Sequence, residues 1–231
     1  MLSPEFWRRY FKIYDVLNSL PTYRQLLAAA CEELGAREKE LILDVGSGTG
    51  NLTLGMRGTG CEVVALDYCQ QALERHRAKD KNCCLVLADL TRSLPFRDNC
   101  FDKIGSNNTL YTLSIDNQLH ALKELYRILK PGGKIVLANP RKGPNPMKNY
   151  LKALADNIRA EGLWVTARKI VAMMIPTIKM FYYNGKLQKE SQYHYFEPEE
   201  QRTLLEAIGF RLVSHTKLIY AEQAVLNSAY K

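Results

Sequence analysis

The run Leu41-Ile42-Leu43-Asp44-Val45-Gly46-Ser47-Gly48-Thr49-Gly50 constrains this chain more than any other stretch. Its apolar lead-in shows no polar alternation, so it reads as a parallel strand buried on both faces. Glycine then recurs at every second position. Lacking a Cβ, Gly46 takes the sharp turn off the strand, and Gly48 lets a ligand approach the bare backbone. Gly50 lets the next segment, Asn51 to Met56, start as a helix close to the sheet. The free N–H groups of such a helix start favour an anion.

The dinucleotide fingerprint is G-x-G-x-x-G, and here Asn51 stands where its last glycine belongs. With Asp44 just ahead of the first glycine, the run resembles the first motif of class I S-adenosylmethionine (SAM) methyltransferases, D/E-x-G-x-G-x-G. Later motifs follow in order. Cys61 to Leu66 reads as a second strand ending at Asp67, 21 positions beyond Gly46. A carboxylate that reaches ribose hydroxyls is expected about 20 positions on. Cys83 to Leu87 reads as a third strand, and Ala88-Asp89-Leu90 follows it. Leu94-Pro95-Phe96-Arg97-Asp98-Asn99-Cys100-Phe101-Asp102 resembles LPF-x-D-x-x-FD, and Glu124 to Gly133 resembles E-x-x-R-x-LKPGG. Leu204 to Phe210 resembles the tail motif L-x-x-AGF.

The resemblance implies SAM as cofactor and assigns its site. Asp44, Gly46, Ser47, Gly48 and Gly50 wrap the methionine end, whose carboxylate is the anion. Asp67, with Tyr68 beside it, holds the ribose, and Asp89 and Leu90 hold the adenine. Asn107 and Asn108, at the carboxyl end of a fourth strand Lys103–Ser106, bind the methionine portion or the substrate, or else simply cap a turn. Asn139-Pro140 is read as an exit turn, because the N-P-P-Y type motif of other methyltransferases belongs at the end of the fourth strand.

Strands and helices alternate from Leu41 to Ala138, which predicts an α/β fold. The expected architecture is a Rossmann-like, doubly wound, seven-stranded, mostly parallel sheet with an antiparallel last strand. The chain is read as one domain, 1–231. A helix over Asn117–Lys130 leads into a fifth strand, Lys134–Ala138, and Arg211–Ile219 and Glu222–Ser228 close the sheet. Residues 1–35 read as helices over the site, with Trp7, Tyr10, Phe11, Tyr14 and Leu17 on one face and Gly35 as a C-cap. The piece Phe11 to Asn18 resembles the start of ubiquinone/menaquinone-biosynthesis C-methyltransferases, which places Tyr14 at the catalytic pocket. Pro21-Thr22-Tyr23-Arg24 replaces the glycine- and histidine-containing continuation of those enzymes, which counts against a quinone acceptor.

Residues 141–196 are too long for a bare connection and read as a helical cap. Met147, Leu151, Leu154 and Ile158 form one apolar stripe, and Trp164, Ala167, Val171 and Met174 another, which Pro176 breaks. Both stripes are expected to face the pocket, with Met173, Met174, Met180, Phe181, Tyr182 and Tyr183 as an adaptable lining. Between Arg141 and Gln192 ten basic residues meet three acids, so this segment carries nearly all of the net charge of +8. That charge suits a small-molecule or lipid-like substrate with an acidic group, or an anionic membrane surface. An RNA methyltransferase ranks lower, since no RNA-binding module is apparent. A protein that binds SAM without catalysis is the alternative from another class.

The other bounds are simple. A chain of 231 residues, 24% charged and 46% hydrophobic, suits one full core. Met1 to Lys12 has no signal-peptide pattern, and Ile170 to Ile178 falls well short of the ~20 residues of a membrane span, so the location expected is cytoplasmic. Six cysteines without a C-x-x-C pair read as reduced thiols with no metal site. Methyl transfer needs in-line alignment with the leaving sulfur, and some acceptors gain from a base. Of the four histidines, His76 and His120 fall on predicted outer, exposed helix faces and His215 in a predicted strand. His194, in Tyr193-His194-Tyr195-Phe196, is the candidate base, against the plainer reading of a packed imidazole.

Overall fold

The computed structural model of the protein describes residues 2–231. Strands β1 (Leu41–Val45), β2 (Glu62–Asp67), β3 (Cys84–Leu87), β4 (Phe101–Asn107) and β5 (Leu129–Pro140) run parallel. Strands β6 (Lys217–Ile219) and β7 (Ala224–Tyr230) complete the sheet, with β7 antiparallel to both β5 and β6. The order across the sheet is β3-β2-β1-β4-β5-β7-β6. This is the doubly wound, seven-stranded arrangement expected from the alternation together with the family resemblance.

The apolar run of β1 takes the central place because both of its faces can be covered. Ile42 pairs with Val63 of β2 on one side and Lys103 of β4 on the other, and Ile42, Leu43 and Val45 are fully buried. From β1 the chain winds outward to β3 and returns to the other side of β1 for β4. The loops leaving β1 and β4 therefore diverge, and a crevice opens at their carboxyl ends.

Around the sheet lie α1 (Pro4–Phe11), α2 (Pro21–Leu34), α3 (Asn51–Gly55), α4 (Gln70–Lys79), α5 (Ile115–Ile128), α6 (Pro146–Glu161), α7 (Leu163–Gln188) and α8 (Glu200–Ile208). Helix α1 is too short to persist in water by itself. The Ser3 hydroxyl caps it by accepting from Phe6 N, and Phe6, Trp7, Tyr10 and Phe11 are all buried. Each such side chain contributes roughly 1.5–3 kcal/mol on burial. Phe6 meets Tyr183 of α7 edge-on at 5.4 Å, and the Tyr10 hydroxyl donates to Asn184 Oδ1. The N-terminal segment and the cap thus meet above the crevice. Gly35 closes α2 at φ 57°, as its place in the sequence suggests.

Several element bounds differ from expectation, and three of the differences have a clear physical cause. Helix α5 stops at Ile128, and Leu129 and Lys130 already belong to β5. Pro131 biases the residue before it toward extended backbone, and Leu129 pairs with Phe101. Strand β6 is only three residues long; Arg211 makes a lone bridge to Tyr230, and Leu212 sits at φ 48°, which interrupts pairing before Lys217. Pro176 does not break α7, which runs through it for 26 residues. An interior proline costs about 3 kcal/mol; the burial of Thr166, Met180 and Leu187 on either side offsets that cost.

The cap stripes are the largest correction. Trp164, Val171 and Met174 are 85%, 73% and 51% exposed, and Met147 and Leu151 of α6 are exposed as well. Instead Thr177, Met180, Phe181, Asn184 and Leu187 face the cavity. Of the expected methionine-aromatic lining, Met180 and Phe181 are there, whereas Met173, Met174, Tyr182 and Tyr183 are not. Helix α7 is apolar on more than one side, so periodicity alone does not single out the inward face.

Candidate active site

One cavity occupies the crevice. Asp44, Gly46, Ser47, Gly48, Asp67, Tyr68, Asp89, Leu90, Asn107 and Asn108 all line it. These are ten of the eleven residues expected at a cofactor. Gly50 lies behind the loop, where it serves the backbone: at φ 85°, an added Cβ would stand 2.3 Å from the His76 ring. Gly46, at φ 65°, leaves room for Thr109 from the β4 loop, which an added Cβ would meet at 2.2 Å.

The carboxylates build this end of the cavity. Asp44 Oδ2 accepts from Thr53 N at 3.1 Å and Thr53 Oγ1 at 2.6 Å, tying the start of α3 to β1. Asp67 accepts from Gly48 N through Oδ2 and from Cys69 N through Oδ1, each at 2.8 Å. Burial pushes both carboxyls up to about 6, against the hydrogen bonds that hold them down. Asp89 Oδ1 accepts from Thr91 N and Oγ1, both at 2.9 Å.

The N-terminal segment roofs the site. Trp7, Tyr10, Phe11 and Tyr14 line the cavity, and the Phe11 ring lies where a Cβ on Gly48 would come within 3.1 Å. The 3₁₀ turn Tyr14–Ser19 is latched to the loop below it. Asp15 Oδ1 accepts from Thr49 Oγ1 at 2.7 Å and from Lys79 Nζ at 2.6 Å. Asn18 Nδ2 donates to Asn51 Oδ1. Sequence reasoning missed Asp15 and Asn51 as site residues; the adjacency of Asp15 to Tyr14 was the one available signal.

Beyond the carboxylates the cavity turns apolar and phenolic, with Tyr23, Tyr111, Tyr195 and Tyr220. The hydroxyls of Tyr14 and Tyr23 are 3.2 Å apart, and Asn107 Nδ2 donates to Tyr23 at 3.4 Å. Burial pushes all these phenols up, Tyr23 and Tyr111 far above 10. At neutral pH they are protonated donors, so Tyr14 meets a ligand as an O–H group and not as a base.

The histidines fall differently from expectation. His194 does not line the cavity. Its Nε2 pairs with Glu200 Oε1 at 2.6 Å, its N–H donates to Tyr111 O, and its carbonyl accepts from Gln118. These contacts hold the strap Tyr193–Phe196 to α8, to the turn Leu110–Thr112 and to α5, with Tyr193 and Tyr195 turned inward. His76 is fully buried, its Nδ1 3.4 Å from Ser47 Oγ under the glycine loop, and burial lowers its pKa to about 4. His120 is half-buried, and His215 is exposed and precedes β6.

Two polar atoms test whether SAM fits. Asn51 Nδ2 and Asn107 Oδ1 are buried and without a partner among the described residues, and both residues line the cavity. Such atoms are rare unless something else completes them. A donor at Asn51 suits a carboxylate and an acceptor at Asn107 suits an ammonium, the two charges of an amino-acid end.

Comparison with known proteins agrees with this geometry. A family described as "Methyltransferase domain" matches residues 43–137. The chain is 34% identical over 131 residues to a demethylmenaquinone methyltransferase of Beutenbergia cavernae, covering 57% of this chain and 53% of that protein. It is 32% identical over 152 residues to the Staphylococcus aureus protein of the same name, covering 62% of each. The chain thus spans between half and two thirds of these curated relatives. A SAM-dependent methyltransferase structure from Thermotoga maritima superposes with a TM-score of 0.63 over 98% of this chain and 99% of that one, at 17% identity, which shows a shared fold. Residues 43–137, with their glycine loop and three cavity carboxylates, match the methyltransferase domain family, and the chain shares its fold with the SAM-dependent methyltransferase structure.

Proposed function

We propose that the protein transfers the methyl group of SAM to a quinone-like or other lipid-like small molecule in the cytoplasm, as one domain with its cap. The observation that carries this reading is the continuity of the cavity. A carboxylate-lined end fitted to SAM opens directly into an apolar, phenol-lined end fitted to a ring. The curated relatives named above, which methylate demethylmenaquinone by their names, support the quinone-like class. The replaced segment Pro21 to Arg24 supports an acceptor differing in detail.

Bound SAM supplies an electrophilic methyl group on a sulfonium. The chain's own part is to align and to exclude water. Asn51 and Asn107 would complete the amino-acid end, Asp67 the ribose and Asp89 the adenine. The roof of Trp7, Tyr10, Phe11 and Tyr14 closes the site. Tyr14 and Tyr23 would donate to an acceptor oxygen and so orient a hydroxylated ring. No imidazole lines the cavity among the described residues, which favours an acceptor already electron-rich, such as a reduced quinone.

The test is incubation with methyl-labelled SAM and a reduced demethylmenaquinone of short side chain. Label in the organic extract, dependent on Asp67, is the expected result. Binding of SAM with no label in any quinol, lipid or RNA fraction would instead favour a SAM-binding protein without catalysis. RNA ranks lower because the outward side of the cap is apolar as well as basic.

A further inference from the structure

Helix α7 has two apolar sides. One lines the cavity. The other is a stripe of Trp164, Arg168, Val171, Ile175, Ile178, Tyr182 and Lys186, spaced by steps of four and three and therefore on one face. Its apolar members are 85%, 73%, 62%, 61% and 57% exposed, Trp164 first and Tyr182 last. Ile170 and Met174 extend the patch and are exposed too. A monomer in water seldom leaves so much contiguous apolar surface bare.

The charge on this face says what covers it. Arg168 and Lys186 lie within the stripe and Lys179 beside it, and among the described residues none of the three is in an ion pair. Lys186 Nζ stands over the Tyr182 ring at 4.7 Å. Trp164 marks one end of the stripe and Tyr182 with Lys186 the other, the pattern of a helix lying in a bilayer interface. No helix of the described residues is long and apolar enough to cross a membrane. Two copies meeting through this face would bring like charges together, and a nucleic acid would leave the isoleucines and valine unsatisfied. An anionic bilayer complements both components.

We propose that α7 docks the protein on an anionic lipid surface, its outward stripe lying in the headgroup layer and its inward side forming the cavity wall. One helix then separates the bilayer from the site. The idea that this shortens the path of a lipid acceptor rests on the function proposed above; the docking itself does not.

The experiment uses the full chain and vesicles of phosphatidylcholine with or without phosphatidylglycerol. Co-sedimentation with the anionic vesicles is expected, weakening with salt. Reversing Arg168→Glu, Lys179→Glu and Lys186→Glu should lower it on the order of a hundredfold, at about fivefold per basic residue near anionic lipid. Val171→Ser, Ile175→Ser and Ile178→Ser together should lower it at least about tenfold, with the loss persisting at high salt. The chain has two tryptophans. Trp7 is buried, so quenching by brominated lipid should strike the emission lost in Trp164→Phe. Failure of the parent to sediment, absence of that quenching, or apolar variants equal to the parent would overturn the proposal. So would a parent dimer that the serine variant dissolves without any vesicle binding, which would assign the face to a second copy. Calorimetric SAM binding is measured on every variant and should be unchanged. A parent that binds vesicles but not SAM removes the function proposed above and leaves the docking standing.

Discussion

Asp67 gives the sharpest test of the cofactor site. Its carboxyl is buried and pushed up from 3.8 to about 6, while both oxygens accept backbone N–H bonds from Gly48 and Cys69. A ribose hydroxyl would donate to this group, so binding should favour the ionised form. With a pKa of 6, about one molecule in eleven is ionised at pH 5, against nearly all at pH 7.5. The Kd for SAM should therefore rise about tenfold between pH 7.5 and pH 5. Asp67→Asn keeps the shape and removes the charge. It should weaken binding about ten- to hundredfold at pH 7.5, a charge-assisted hydrogen bond being worth roughly 1.5–3 kcal/mol, and should flatten the pH profile. Titration calorimetry across this range reads both effects. A profile in Asp67→Asn as steep as the parent's would place the proton elsewhere, with Asp44 the first suspect. Unchanged affinity would remove the ribose contact altogether.

The same shift has a sign for stability. A carboxyl whose folded pKa lies above its ordinary value binds its proton more tightly in the native state. Folding is then favoured at low pH, and that advantage disappears as pH rises from about 4 to about 6. A shift of about two units corresponds to ~3 kcal/mol. Asp44, raised by burial and by Asp67 itself, acts in the same direction, so the two are not additive. Buried His76, its pKa lowered to about 4, acts in the opposite direction as pH falls below 6.5, so the carboxyl contribution is read by difference: the Tm of the SAM-free parent relative to Asp67→Asn should be higher at pH 5 than at pH 7.5, and SAM should raise the parent's Tm more at pH 7.5. A parent-to-variant difference that does not change between the two pH values would mean that the Asp67 carboxyl is hydrated.

Three other substitutions probe the frame. Asp15→Ala cuts the latch to Thr49 and Lys79; because the ion pair is partly exposed, about 1 kcal/mol of stability and roughly fivefold in SAM affinity should be lost, and calorimetry showing no change would mean the roof needs no anchor. Gly50→Ala drives a methyl into the His76 ring at φ 85° and should cost about 2–4 kcal/mol in urea unfolding, unless the loop relaxes and the midpoint stays put. His194→Ala should leave turnover within about twofold at saturating substrate, since its imidazole is turned to Glu200; a loss above about a hundredfold would restore it as the base.

What the sequence made legible were demands on the backbone. Gly46, Gly48 and Gly50 all sit at positive φ, and the three acids fall in register because each lies at or just beyond the carboxyl end of a strand that parallel pairing aligns. Such features depend on short-range geometry, which a sequence states directly. The direction of a side chain depends on what the chain brings against it from far away. His76 lies on an outer helix by sequence, yet the glycine loop settles onto its ring, so it is buried. His194 sits among aromatics beside the pocket, but alternation turns Tyr193 and Tyr195 inward and leaves the imidazole to Glu200. Helix α7 shows the limit most clearly. Its sequence offers two apolar sides of similar strength, and which one is inward is set by what packs beside it: α6, the turn Tyr14–Ser19, and Phe6 and Tyr10 of α1. Partners as far as 174 residues away in the chain, Tyr10 to Asn184, help to fix the rotation of the helix, and no local period encodes them. The side left outward is then the part of the molecule whose partner the fold itself does not supply.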